Sequence, residues 1–153
     1  MSRKLSPRNS MQALNFEEVL ERIVQGDTRY HRQAYFFLRE ALDHTHKMLG
    51  KADKGTIHHV TPGQLVEGIR DYALQQFGPM AMMVLQEWGV RSCEDWGEIV
   101  FAMIDHNLLA RTEQDKREDF KGHYDFFQTF RQPFYPSATA KSVEKQSQAE
   151  QPL

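Results

Sequence analysis

Three helix-start signals punctuate the middle of the chain: Thr61-Pro62-Gly63-Gln64, Ser92-Cys93-Glu94-Asp95 and Thr112-Glu113-Gln114-Asp115. Each sets a hydroxyl where the first, unpaired N–H groups of a helix need an acceptor. Each carries Gln or Asp three residues on, where a side chain reaches back to the cap backbone. They divide residues 61–120 into short units.

Apolar periodicity fills in the helices between these signals. Asn15 can cap a first helix whose face is Phe16, Val19, Leu20, Ile23 and Val24, with Gly26 as its stop. Asp27 can cap the next, which runs to Leu49 before Gly50, with Tyr30, Ala34, Phe37, Leu38, Ala41, Leu42, Thr45, Met48 and Leu49 on one face. Thr56–Val60 reads as a short strand leading into the first cap. Pro62 stands at the first helical position, where its missing N–H costs nothing. Leu65, Ile69, Tyr72, Ala73 and Phe77 follow as the buried face. Gly78-Pro79 breaks that helix and starts another through Trp88, where Gly89 suits a left-handed cap and Val90 its apolar contact. Residues 93–107 carry the stripe Trp96, Ile99, Val100, Met103 and Ile104, followed by Leu108.

Beyond Leu108 the reading forks. The Thr112 signal can start a helix through Phe120, or Leu108–Thr112 and Phe120–Tyr124 can be two strands around a charged loop. Gly122 and the apolar alternation favour the hairpin. The expected fold is therefore mainly α (α+β): a compact multi-helix domain with a small β-hairpin, winged-helix-like in outline. Residues 1–14 are expected to form a flexible N-terminus, 15–136 a single globular helical domain and 137–153 a disordered C-terminal tail with little to bury.

Motifs for chemistry are missing. Among seven histidines, His44 and His46 are two apart and diverge on a helix, while His58 and His59 diverge on a strand. Asp43-x-x-His46 resembles half of a carboxylate-bridged dimetal site, but no second pair completes it. Cys93 follows a helix cap beside Arg91, which would activate a thiol; Glu94 and Asp95 oppose that, and a structural thiol is favoured. No phosphate-binding loop, dinucleotide fingerprint or nucleophile elbow is present. No catalytic residue, cofactor, metal site or small-molecule ligand is identifiable. An enzyme remains open only as a dispersed, motif-free site.

Charge narrows the partners. The formal net charge is −2, a poor footprint for nucleic acid. In a winged-helix frame residues 27–49 would be the first helix and residues 93–107 the recognition element. That element carries Glu94, Asp95, Glu98 and Asp105 and no Lys or Arg, so phosphates would be repelled. No apolar run approaches a membrane span, and the N-terminal Arg3, Lys4 and Arg8 lack the apolar stretch of a secretory signal. With one cysteine, a cytoplasmic location is expected.

Two stretches suit protein contacts. Met80, Met82 and Met83 are adaptable contact residues, although core filling is the favoured reading beside Val84 and Leu85. Tyr124–Phe130 and Pro133–Pro136 form an aromatic arm, more readily clamped on its own domain than docked on a partner. Arg70 and Asp71 could line a cleft, but an ion pair on a helix flank is the commoner outcome. The candidate interaction surface is thus Arg70, Asp71, Glu94, Glu98, Phe127, Phe130, Phe134 and Tyr135.

Several strings together resemble an uncharacterised bacterial protein family restricted to planctomycetes and verrucomicrobia. They are Tyr30 with Ala34–Leu42, Gly68–Ala73, Phe77–Ala81, Glu87-Trp88-Gly89 and Asp95–Phe101, spanning about residues 16–136. Phe is expected where Trp96 stands. The resemblance implies a bacterial, soluble, single-domain protein and carries no mechanism. The functional expectation is a non-catalytic protein-interaction module, with a protein partner or self-association. The alternatives are a winged-helix-type nucleic-acid regulator and the motif-free enzyme.

Overall fold

A computed structural model describes residues 16–52, 59–110 and 116–136. Its elements are α1 (residues 16–26), α2 (Arg32–Ala52), α3 (Pro62–Phe77), α4 (Ala81–Glu87) and α5 (Cys93–Asp105). A tight 3-10 turn, Gly78–Met80, joins α3 to α4. Two more 3-10 turns, Arg117–Phe120 and Gln132–Phe134, flank a π-helical turn at Phe127–Arg131.

Two of the helix-start signals work as caps. Thr61 Oγ1 accepts from Gln64 N–H at 3.2 Å, and Gln64 Oε1 accepts from Thr61 N–H at 3.0 Å. At the second, Asp95 Oδ2 accepts from the N–H groups of Arg91 and Ser92 at 2.8 and 3.1 Å. Tyr30 donates to the other oxygen of that carboxylate, Oδ1, at 2.6 Å. One side chain thus holds the α1–α2 turn, the α4–α5 connection and the first turn of α5 together. The Thr112 signal lies outside the described residues, as do Asn15 and residues 56–58 of the expected strand.

Asp27 does not cap α2. Its carboxylate accepts instead from the backbone and guanidinium of Arg29, which holds its pKa below the ordinary value. The helix begins later, where His31 Nδ1 accepts from Gln33 N–H at 3.0 Å. His31 N–H in turn donates to the Trp88 carbonyl at 3.0 Å, tying this cap to the end of α4. At its far end α2 runs through Gly50 to Ala52.

The stop after α4 is a left-handed one. Gly89 has φ +88°, and Val90 N–H reaches back to the Leu85 carbonyl at 2.9 Å, with Val90 buried. α5 ends the same way without glycine: Asn107 has φ +61°, and Leu108 N–H reaches the Met103 carbonyl at 2.8 Å.

α2 and α3 cross very closely. A Cβ on Gly68 would stand 1.7 Å from Thr45 Oγ1, so the crossing requires glycine. Thr45 itself is buried and its hydroxyl donates to the Ala41 carbonyl at 2.7 Å. The Phe37 ring fills the space between elements. It meets Tyr72 and Phe77 of α3, Trp88 after α4 and Trp96 of α5 at centroid distances of 5.2, 5.6, 5.4 and 5.8 Å. α5 is the most deeply sunk helix surface, burying Trp96, Ile99, Val100, Phe101 and Met103 among others.

The fold is mainly helical, but the expected hairpin is not there: the described residues contain no strand. Phe120 closes the Arg117–Phe120 turn and seats its ring stem on Gly97 of α5, where an added Cβ would come within 2.9 Å. The apolar alternation that suggested strands reflects this single anchoring ring and the partly buried Leu108 and Leu109. Without a hairpin the wing of a winged-helix outline is missing from the described residues.

Phe37→Ala is expected to lower the unfolding free energy by about 3–5 kcal/mol, measured by urea denaturation. Asp95→Ala should cost about 2–3 kcal/mol, because it strands Tyr30 and two backbone donors at once, whereas Tyr30→Phe should cost only about 1 kcal/mol.

Candidate interaction surface

The aromatic arm divides between core and surface. Tyr124 donates its hydroxyl to the Val66 carbonyl at 2.7 Å, and burial raises its pKa well above the ordinary phenol value. Phe126 and Phe130 are buried and meet edge to face at 5.1 Å. Phe130 therefore belongs to the core and leaves the expected interaction surface. Phe127, Phe134 and Tyr135 stay exposed, at 43, 44 and 43%. Asp125 starts the turn that sorts them: its carboxylate accepts from Gln128 N–H at 2.9 Å. The widened π turn then buries Phe130 while leaving Phe127 outside. Phe127 and Tyr135 pack edge to face, 5.8 Å apart.

Methionines extend this apolar face. The turn Phe127–Arg131 packs on Gly78–Met80 and on α4. Met80 and Met83, three residues apart on those elements, are 50 and 52% exposed. Met82 alone of the three packs against the core. Core filling, the favoured sequence reading, therefore fails for Met80 and Met83. Their three-residue spacing was readable from the sequence, but their exposure was not. Glu87 closes α4 and Arg131 closes the π turn; both are exposed, and neither has an ion-pair partner among the described residues.

The polar candidates sit on other elements. Arg70 pairs with Glu67 one turn back on α3 at 2.9 Å, an exposed pair of small value. Asp71 faces α2: its Oδ2 lies 2.7 Å from His44 Nε2 and accepts from Gln75 Nε2 at 2.9 Å. Beside it Tyr72 donates to Glu40 Oε2 at 2.8 Å, and that bond together with burial raises the Tyr72 pKa. These contacts form a polar seam between α2 and α3, which sequence spacing could not pair across 27 and 32 residues. On α5, Glu94 is exposed and Glu98 lies 3.5 Å from Arg117, which also approaches Asp105 at 3.8 Å. The exposed rings stand on and just after the π turn and the Gln132–Phe134 turn, and the exposed methionines on Gly78–Met80 and α4, elements that pack on one another. Arg70 and Asp71 lie on α3, and Glu94 and Glu98 on α5, as two separate groups.

No helix among the described residues is long and apolar enough to cross a membrane. No group of three or more His, Cys, Asp or Glu among them could hold a metal ion. Cys93 is buried, its thiol donating to the Tyr124 carbonyl at 3.6 Å. Burial pushes its pKa up, and the nearby hydrogen bonds offset only part of that. Above neutral pH the folded protein should react with iodoacetamide at least roughly tenfold more slowly than the urea-unfolded chain, as followed by intact mass.

The chain matches no protein-family model, no curated protein and no solved structure.

Proposed function

We propose that the protein is a non-catalytic interaction module that pairs with a second copy of itself through the face made by Met80, Met83, Phe127, Phe134 and Tyr135. The observation that carries this reading is that, among the described residues, five of the six large exposed apolar side chains stand on or beside adjoining elements. Isolated surface apolar groups are ordinary; a contiguous set of adaptable and aromatic ones is what contact surfaces are built from.

The choice of a second copy follows from the chemistry of the face. Methionines lie on one element and rings on the next. A two-fold axis through the face sets the methionines of one protomer on the rings of its partner, each such contact worth about 0.3–1.5 kcal/mol. The pairing proposed would also set Glu87, four residues past Met83 on α4, against the partner's Arg131. The acids of α5 offer no comparable contact: Glu94 is exposed, and Glu98 and Asp105 lie near Arg117.

Analytical ultracentrifugation of the full chain is expected to show a monomer–dimer equilibrium in the micromolar range. The paired substitutions Met83→Glu and Phe134→Glu should shift it to monomer with an unchanged circular dichroism spectrum. Charge reversal at Glu87 alone should weaken it, and reversal of both Glu87 and Arg131 should restore it. A wild-type chain that stays monomeric into the high micromolar range would sink the proposal.

A further inference from the structure

A second feature, separate from the apolar face, is a half-open cavity of about 280 Å³ between the second half of α2, the start of α3 and the end of α5. Its walls are apolar: Leu42, Leu65, Val100, Ile104, Leu109 and Phe120. Its polar lining is confined to two imidazoles, His46 of α2 and His59 before the α3 cap. The described lining residues include no acid and no lysine or arginine.

The elements that build it explain why space is left. α2 and α3 touch at Gly68 and Thr45, and the cavity is lined by Leu42 and His46 on either side of Thr45 and by Pro62 and Leu65 ahead of Gly68. Phe120 plugs the side against α5 through its seat on Gly97, and it meets Phe101 edge to face at 6.3 Å. Leu108 and Leu109 then turn over the end of α5, fixed by the left-handed Asn107.

We infer that this cavity is a binding site for a small amphiphile, an unbranched or aryl monocarboxylate whose apolar body enters between α3 and α5 and whose carboxylate meets His46. Volume sets the body. An apolar cavity of about 150 Å³ takes one benzene, so this one takes a chain of about eight to ten carbons. Charge sets the head. An imidazole offers an N–H donor in either protonation state, and a carboxylate is the acceptor that gains most from it. His46 is exposed and makes no hydrogen bond among the described residues, so its ring is available at the mouth. An ammonium head would find no acidic partner among the described lining residues.

The test uses the full chain with octanoate, octanol and octylamine as probes of equal length. Isothermal titration is expected to rank octanoate first, with octylamine roughly tenfold weaker or worse. In ¹H–¹³C spectra octanoate should shift the methyl signals of Leu65, Val100, Ile104 and Leu109 and leave those of Met80 and Met83 in place. His46→Gln should reduce octanoate binding several-fold toward that of octanol. Val100→Phe, which fills the cavity, should remove binding of all three; if that variant does not fold, the methyl shifts decide alone. Absence of octanoate binding at low millimolar concentration would overturn the inference. So would equal binding of octylamine, or shifts confined to the methionine face. Dimerisation does not enter into any of these readouts.

Discussion

The packing of four rings around Phe37 is the contact on which the other arrangements rest. Phe37 is nearly buried, and its neighbours come from α3, the end of α4 and α5. Each pairing adds about 0.5–1.5 kcal/mol beyond area burial, but position matters more than the sum. A short helix such as α4, Ala81–Glu87, has too few residues to hold itself in water. It stays in place because Trp88 at its end is caught between Phe37 and Phe77, and because the Trp88 carbonyl accepts from His31 N–H. Through α4 the same packing supports the π turn, and with it the exposed methionine and aromatic face.

The polar contacts complement the ring cluster by fixing direction. Asp95 is the clearest case. A helix cap ordinarily satisfies only its own first turn, yet this carboxylate also receives the Tyr30 hydroxyl from across the chain. Burial and the bond to Asp95 raise the Tyr30 pKa, so the phenol remains a donor across the physiological range. The orientation of α5 relative to α2 thereby depends on a charged acceptor at the margin of the core, where losing the acceptor strands several donors together. The Gly68–Thr45 contact plays the corresponding steric part for α2 and α3.

Much of the helical layout was legible because capping and periodicity are local. Thr61 with Gln64, Pro62 at the first helical position, and Gly89 followed by Val90 all act as their residue types imply. What failed was of two kinds. Asp27 looked like a cap but was claimed by Arg29 two residues away, a local competitor that spacing alone does not rank. The apolar alternation around Leu108 and Phe120 looked like a hairpin because a strand and a tight turn bury residues in similar short patterns. Only the seat on Gly97, 23 positions back in the chain, distinguishes them. The candidate surface was half legible. Aromatic density marked the arm, but which rings turn inward depends on the π turn, and a one-residue widening of a helix has no reliable residue signature. The exposure of Met80 and Met83 is likewise a fact about what fails to cover them.

Among the described residues the core also contains two polar atoms with no hydrogen-bond partner, Tyr35 Oη and Trp96 Nε1. Burial pushes the Tyr35 phenol up to about 12. Both residues are fully buried and come from the two helices that meet at Phe37. An unpartnered buried donor costs about 1–3 kcal/mol, so neither hydroxyl nor indole N–H is there for stability. Trp96 contributes ring area against Phe37 that a smaller aromatic would not reach, and that shape outweighs its orphaned N–H. Stability is therefore concentrated in ring packing near α2 and α5, while the close approaches lie elsewhere, at Gly97 of α5 under Phe120 and at Gly68 of α3 against Thr45 of α2. That distribution explains how these helices can be firm at Phe37 and still leave a cavity beside α2 and exposed apolar groups around the π turn.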